Sequence, residues 1–320
     1  MIEVMEDVPA RTVTLPDGRR LAYYEFGDPA GVPCLYTPGW PASGLLGGVY
    51  DDAAREAGVR WISIDKPGAG ASDFDPRRSL LRYADDIAHL ADELGLDRFA
   101  SVGESGGGPH AAVLAHALPD RLTTTILLAA MGPAHEKWVR EGMQPVNRRL
   151  IMMAQRAPWL LRAQTLLLSR MMNNPTKARR WERSLVEQAS EADRRALARI
   201  DTGWLTAAAA AALRDGGRAA AQELAMIARP WGFALADITS PVEVWHGTAD
   251  TNVPVAIARR VVAEIRTCTA VTYVEGEGHI VGLLVRHDVM ASVVRASGGG
   301  RRGDMRPPSD RSRPTGHPRS

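Results

Sequence analysis

Cysteine is scarce in this chain: Cys34 and Cys268 are the two in 320 residues. Two cysteines make no disulfide framework, and a chain of this length buries a core large enough to need none. Each lies in or beside an apolar, strand-like run, where a thiol packs as a small hydrophobe. That usage fits a reducing compartment, and a cytoplasmic location is expected. Long apolar runs are missing as well. No stretch of about 18 apolar residues occurs, so no membrane-spanning helix and no membrane partner are expected. The segment Met1-Ile2-Glu3-Val4-Met5-Glu6-Asp7 is acidic and lacks the apolar stretch of an export signal. Metal-ligand spacings are absent too, with no His-x-x-x-His and no paired Cys-x-x-Cys. No G-x-G-x-x-G follows the first strands, and Gly106-Gly107-Gly108 lacks the lysine of a phosphate-binding loop. No metal and no cofactor are therefore expected.

Charge of one sign is concentrated in a single place. Residues 301–320 carry six Arg and two Asp, so this tail holds +4 and the rest of the chain is near −2, against a total of +2. The tail has no aromatic residue on which a base could stack. It reads as solvated disorder, and no nucleic-acid partner is expected. The partner that remains is a small-molecule substrate.

Apolar residues make up 45% of the chain, which is ordinary for a globular protein. Arg11–Leu15 and Leu21–Phe26 are β-rich runs split by the turn signal Pro16-Asp17-Gly18, a hairpin pattern. Strand-like runs follow at Pro33–Thr37, Trp61–Asp65, Phe99–Gly103 and Thr125–Ala130. Helical stretches lie between them near 44–57, 80–94 and 106–117. Strands alternating with helices indicate a parallel α/β sheet. Residues 134–230 break the rhythm and read as helix after helix: Met143–Ala157, Pro158–Met172, Thr176–Ala189, Glu191–Ala212 and Arg218–Ile227. The α/β pattern then resumes, with strands Val242–His246 and Ala270–Val274 and helices at 254–265 and 280–294. The expected organisation is a core in two parts, 1–133 and 231–296, a helical insertion at 134–230, and a disordered basic tail at 297–320.

Gly103-Glu104-Ser105-Gly106-Gly107 follows a strand and precedes a helix. On such a tight turn a serine is pushed out of the sheet, and small flanking residues permit the strained backbone. The helix N-terminus then aims N–H groups at an oxyanion beside the serine. A serine hydroxyl needs a base, and the base needs a carboxylate to orient it. Among eight histidines, His89, His110, His116 and His287 fall on helices, His135 opens the insertion, and His317 is in the tail. His279 sits in the loop Glu275-Gly276-Glu277-Gly278-His279 just after a late strand, where ligands of open α/β sheets gather. His246 lies four residues before the best acid and reads as structural. That acid is Asp250, at the end of Trp245-His246-Gly247-Thr248-Ala249-Asp250. Its rivals are Asp237, on the wrong end of a strand, and Asp288, inside a helix. The chain order Ser105, Asp250, His279 is the one expected for such a sheet.

With these segments in place the sequence resembles the α/β-hydrolase superfamily, in its small-molecule esterase-like branch with a helical lid. The resemblance rests on Tyr36-Thr37-Pro38-Gly39-Trp40-Pro41, Asp65-Lys66-Pro67-Gly68-Ala69-Gly70-Ala71-Ser72-Asp73, Gly103–Pro109, Trp245–Asp250 and Gly278-His279. It implies an eight-stranded, mostly parallel sheet flanked by helices, a lid at 134–230 and cofactor-free hydrolysis. The sequence departs from the family twice. Pro38-Gly39 stands where the family commonly has His-Gly, and Lys66 where it usually has Arg; the second reads as structural. Two N–H donors are needed for a tetrahedral oxyanion. One is expected from Gly106, the residue after the nucleophile. Pro38 and Pro41 have no N–H, which leaves Gly39 and Trp40, and the resemblance favours Trp40. Met143, Met152, Met153, Trp159, Leu160, Leu161, Leu166, Leu167, Leu168, Met171 and Met172 are available either to line an apolar pocket or to pack the insertion on the core. The leading expectation is cleavage of a carboxylic ester or related acyl bond of a small, largely apolar substrate. Acyl transfer or a lyase reaction on the same triad, or a slow-turnover ligand sensor, are the alternatives.

Overall fold

The computed structural model describes residues 8–298. Its frame is an eight-stranded sheet in the order β1-β2-β4-β3-β5-β6-β7-β8. The strands are β1 Arg11–Thr14, β2 Arg20–Gly27, β3 Val32–Thr37, β4 Val59–Ile64, β5 Phe99–Glu104, β6 Leu122–Leu128, β7 Val242–Gly247 and β8 Cys268–Val274. β2 runs antiparallel to both of its neighbours, and from β4 to β8 every pairing is parallel.

Parallel strands alternate their side chains between two buried faces. In β5 and β6, Phe99 and Leu127 join the core on one face, while Ala100, Val102, Ile126 and Leu128 join the core on the other. Helices α2 (Leu80–Glu93), α3 (Gly108–Ala117) and α10 (Val255–Glu264) cover the first face; α1 (Asp51–Glu56), the short α11 (Val281–Leu284) and α12 (Arg286–Ser297) cover the second. Helix α2 shows why. Leu80, Tyr83, Ala84, Ile87, Leu90 and Ala91 fall on one stripe and are buried, and the Ser79 hydroxyl caps the start by accepting from Arg82 N at 3.1 Å. Cys34 is fully buried within β3, and Cys268 is half-buried at the start of β8.

Between β6 and β7 the described chain forms α4 (Pro145–Arg156), α5 (Pro158–Met172), α6 (Pro175–Gln188), α7 (Glu191–Leu197), α8 (Gly203–Ala212) and α9 (Arg218–Ile227), with no strand among them. β6 and β7 are nevertheless sheet neighbours, with Thr125 opposite Val242. The helices are thus an insertion into a continuous sheet. The sequence pattern merges Glu191–Ala212 into one helix, whereas the chain breaks after Leu197. There the Asp201 carboxylate accepts from Gly203 N at 2.8 Å, a local turn that competes with helix. β6 also begins and ends earlier than the apolar run suggests, because Ala129 takes a positive φ of 44° and leaves the strand. The tail expected at 297–320 falls outside the described residues from 299 on, and Ser297 itself closes α12.

The carboxyl ends of β3 and β5 crowd against the turn that follows β5. A Cβ on Gly107 would lie 2.1 Å from Thr37 O at the end of β3, and one on Gly103 would lie 2.5 Å from Gly107 O. Backbone cannot yield as a flexible side chain can. Gly107→Ala is therefore expected to lose about 3 kcal/mol of stability by overpacking, read as a lower midpoint in urea denaturation with an unchanged slope.

Candidate active site

Ser105 sits where β5 turns into a single 3-10 turn, Ser105–Gly107, which leads into α3. Its φ is +51°, a left-handed conformation that a residue with a side chain rarely adopts. The turn holds because its glycines pass against backbone on either side, as above, and because Ser105 O accepts from Met131 N at 2.9 Å. The hydroxyl is thereby lifted above the strand ends.

The loops after β7 and β8 bring the other two residues to it. Ser105 Oγ donates to His279 Nε2 at 2.9 Å, and His279 Nδ1 donates to Asp250 Oδ2 at 2.8 Å. The carboxylate fixes the tautomer, since it can only accept. Asp250 is buried and its other oxygen accepts from Asn252 N and Val253 N at 2.8 and 2.9 Å. The two loops are zipped by Ala249 N to Glu277 O at 2.9 Å, and a Cβ on Gly247 would strike Glu277 O at 2.3 Å. The structure thus brings the three residues singled out from the sequence, Ser105, His279 and Asp250, into one hydrogen-bonded chain. Of the rival acids, Asp237 closes a local turn by accepting from Ala234 N at 2.9 Å, and Asp288 lies in the first turn of α12. His246 is buried behind the site; it donates through Nε2 to Val253 O at 2.7 Å and lies 3.3 Å from Asp250 Oδ2.

The electrostatics follow from this packing. Burial alone would raise the Asp250 carboxyl, but His279 and His246 outweigh it and hold it well below the usual carboxylate range. Burial likewise pushes the His279 imidazole down. The Asp250 charge and hydrogen bond, with Glu104 and Asp193 further off, outweigh that and leave it above the ordinary histidine value.

The backbones of Trp40 and Gly106 lie side by side. A Cβ built on Gly106 would be 3.1 Å from Trp40 N, so the two backbones all but touch. Gly106 is the second residue of its 3-10 turn, where an N–H has no intrahelical acceptor. The Trp40 ring is anchored elsewhere, its Nε1 donating to Ala220 O at 2.7 Å.

Lys66, which reads as structural, is buried, and its Nζ donates to Pro38 O and Gly39 O, both at 2.9 Å, directly behind the Trp40 turn. Two further site residues were missed. Glu104, beside the serine, accepts from Tyr36 and Tyr50 hydroxyls, the latter at 3.1 Å, and burial pushes its carboxyl up against their pull. Asp193, on α7, accepts from Ile280 N at 2.8 Å, and a Cβ on Gly278 would strike that carboxylate at 2.4 Å. Glu104 was signalled by an ionisable residue inside the elbow; Asp193 carried no signal beyond a helix cap.

Two cavities meet at Ser105. One of about 500 Å³ runs beneath α6 and α8, lined by Trp181, Leu185, Leu205, Glu104 and Asp193; the other, about 210 Å³, is lined by Met131, Met143, Leu150 and Leu224. Of the methionines and leucines singled out in the insertion, Met143 reaches the smaller cavity, and Leu161, Leu167, Leu168 and Met171 line a separate apolar hollow behind Trp40. Met152, Trp159 and Leu160 face outward. Among the described residues no three His, Cys, Asp or Glu side chains are grouped to hold a metal, and no helix is long and apolar enough to cross a membrane.

A strand–turn–helix serine, with a histidine and an aspartate on later strand-end loops, defines a class of protein, and comparison agrees with it. Residues 35–283 match the family model for the alpha/beta hydrolase fold. The chain belongs to that family, whose members are generally hydrolytic enzymes. It is 33% identical over 134 residues to a non-heme chloroperoxidase of Streptomyces lividans, covering 39% of this chain and 46% of that one. A second chloroperoxidase, from Kitasatospora aureofaciens, is 32% identical over 128 residues, 38% of this chain and 44% of the relative. The chain thus spans about half the length of the curated relatives it matches. Among solved structures, an esterase from Thermogutta terrifontis aligns with a TM-score of 0.62 at 21% identity, over 90% of this chain and 97% of that one. An enol-lactonase from Burkholderia xenovorans LB400 aligns at 0.63 and 17%, over 90% and 99%. At such identities the likeness is one of fold.

The histidine itself can be checked without any substrate. In an NMR titration the His279 imidazole is expected to ionise above the ordinary value of about 6.5. In Asp250→Asn, burial is left unopposed by the adjacent charge, and the ionisation should move to lower pH. An unmoved titration would mean that Asp250 does not set the charge of His279.

Proposed function

We propose that the protein is a serine hydrolase that cleaves a carboxylic ester, or a related acyl bond, of a small and largely apolar molecule. The observation that carries this reading is the pair of hydrogen bonds from Ser105 Oγ to His279 and from His279 to Asp250, at 2.9 and 2.8 Å, opening on two cavities. His279 takes the proton of Ser105 as Oγ attacks the acyl carbon. The oxyanion is received by the N–H groups of Trp40 and Gly106. His279 then gives the proton to the leaving alcohol. Water enters and loses a proton to His279 as it attacks the acyl-enzyme; His279 then returns that proton to Ser105 Oγ as the bond to the acyl group breaks and the acid is freed. Asp250 keeps its negative charge throughout and stabilises the imidazolium. Segment 134–230 serves as the lid that shapes the two cavities, and these supply the apolar surface expected of a small-molecule site.

The acyl-enzyme admits other acceptors. Because two relatives bear the name chloroperoxidase, hydrogen peroxide is the acceptor to set beside water and alcohols. Attack by its oxygen on the acyl carbon would release a peroxy acid and regenerate Ser105. Product analysis in mixtures of water, alcohol and peroxide separates hydrolysis from transfer.

With p-nitrophenyl esters of graded chain length, Ser105→Ala is expected to retain its fold and lose turnover on the order of a million-fold. A purified variant that kept a few per cent of the rate would remove Ser105 from its role. The rate should rise with pH through one ionisation, since neutral His279 is the base, and this limb should lie above the ordinary histidine value because the folded pKa is raised. A flat profile from about pH 5 to 8 would exclude a histidine base.

Trp40 offers a sharper test. Trp40→Ala keeps the N–H and removes the ring, so it should mainly change substrate preference. Trp40→Pro removes the donor and should cost a further 3 to 4 kcal/mol or so in transition-state stabilisation. Equal kcat in the two variants, both with cooperative thermal transitions, would place the second donor elsewhere.

A further inference from the structure

Lys66 has no route to water: its side chain is fully buried. An ammonium has three N–H groups, and here each has an acceptor. Pro38 O and Gly39 O lie at 2.9 Å and Glu223 Oε1 at 2.5 Å. Burial pushes the ammonium below its ordinary value, and the Glu223 carboxylate opposes this. Glu223 belongs to α9, the last helix of the insertion. Its second oxygen lies 3.6 Å from Arg78 Nη2, which in turn donates to His110 Nε2 at 3.2 Å. His110 Nδ1 donates to Gly106 O at 3.3 Å. A buried charge network therefore runs from the insertion to the backs of both loops that flank Ser105.

Peptide geometry gives the network its meaning. In a trans peptide the C=O and the following N–H lie in one plane and point in opposite directions. Gly39 O is turned toward Lys66, so Trp40 N–H is turned away from it, toward Gly106 and Ser105. Gly39 itself is pressed against the serine, where a Cβ would come within 3.2 Å of Ser105 Cβ. The Gly106 N–H is aimed by the same device: the carbonyl of its peptide, Ser105 O, is held by Met131 N at 2.9 Å. That second hold is backbone to backbone, whereas the first depends on one side chain and its counter-ion.

We propose that Lys66, seated by Glu223 of the helical insertion, is a positioning residue that sets the direction of the Trp40 N–H and so completes the oxyanion site. The inference rests on the reading of Ser105 and Trp40 given above. The competing account is purely structural: Lys66 does no more than neutralise a buried carboxylate.

The two accounts separate in a double variant. Lys66→Met leaves the buried Glu223 with only Arg78, at 3.6 Å, for a cationic partner and should lower the thermal midpoint. Lys66→Met/Glu223→Gln removes both charges, leaves Arg78 its bonds to Pro67 O and His110, and should regain part of that midpoint. A structural role predicts that activity returns with stability. A positioning role predicts that kcat stays about 100-fold down, the loss expected for one oxyanion donor, while KM changes by less than about threefold. Affinity for an aryl trifluoromethyl ketone, whose adduct with Ser105 carries an oxyanion, should fall in parallel with kcat/KM. A folded double variant with wild-type kcat, or a lowered kcat with undiminished ketone affinity, overturns the proposal. If the double variant does not fold, Glu223→Gln alone decides: it exchanges a charge-assisted hydrogen bond for a neutral one of about half the strength. It should reduce kcat and ketone affinity by the same factor, about tenfold; wild-type values for both at a wild-type midpoint overturn the proposal. Failure of the underlying reading looks different, for then Ser105→Ala remains active and the trifluoromethyl ketone binds the native protein no better than its methyl ketone parent.

Discussion

The arrangement depends on one backbone constraint, the left-handed conformation of Ser105 at the end of β5. A strand that continued in extended form would point the serine into the sheet. A chain that turned earlier would lose the pairing of Glu104 with Leu128. The turn is tenable because nothing larger than hydrogen stands at Gly103 and Gly107, which let Thr37 O and Ala111 approach where side chains would sit. The cost of the conformation, of order 1–3 kcal/mol, is carried by the surrounding sheet. From that turn follow the height of the hydroxyl, the free N–H of Gly106, and the position that the loops after β7 and β8 must reach.

Those loops show how much of the site was legible. Elements whose burial alternates or runs continuously were read nearly to the residue: α5 and α9 begin and end where the pattern places them, and β3, β5 and β7 differ by a residue at one end. Ser105, Asp250 and His279 were legible for the same reason, since each follows a strand-like run and so lies at one edge of the sheet. The end of β6 was misplaced because apolarity continues past the strand through Ala129 and Ala130, which are buried although the positive φ of Ala129 has already ended the strand. The break between α7 and α8 was hidden because an alanine-rich run outweighs one aspartate turn in any local pattern.

What sequence could not disclose was contact between distant polar groups. Lys66 and Glu223 are separated by 157 positions, and Asp193 and Ile280 by 87. Nothing local distinguishes these carboxylates from the many exposed ones in the insertion. Burial alone sets them apart, for an unpaired charge in the interior is too costly to keep. Lys66 shows the same point: its place in the chain is known from sequence, but not that its ammonium ends behind the Gly39 carbonyl.

Taken together, the two carboxylates change the meaning of the insertion. Asp193 grips the backbone directly after His279, and Glu223 seats the lysine behind Trp40. The base and an oxyanion donor of the proposed reaction are thus each braced by a helix that the sheet alone does not supply. A cover that merely excluded water would need apolar contact with the rim and nothing more. Buried hydrogen-bonded charges tie position to identity in a way apolar packing does not, because a displaced partner leaves an unsatisfied charge behind. A sheet of this kind fixes the height of the serine and the order of the three residues. On the proposed reading, the angular placement of the groups around the reacting carbon is shared with the insertion, so a change in the insertion's sequence that reshapes the cavities also bears on the groups assigned to the chemistry.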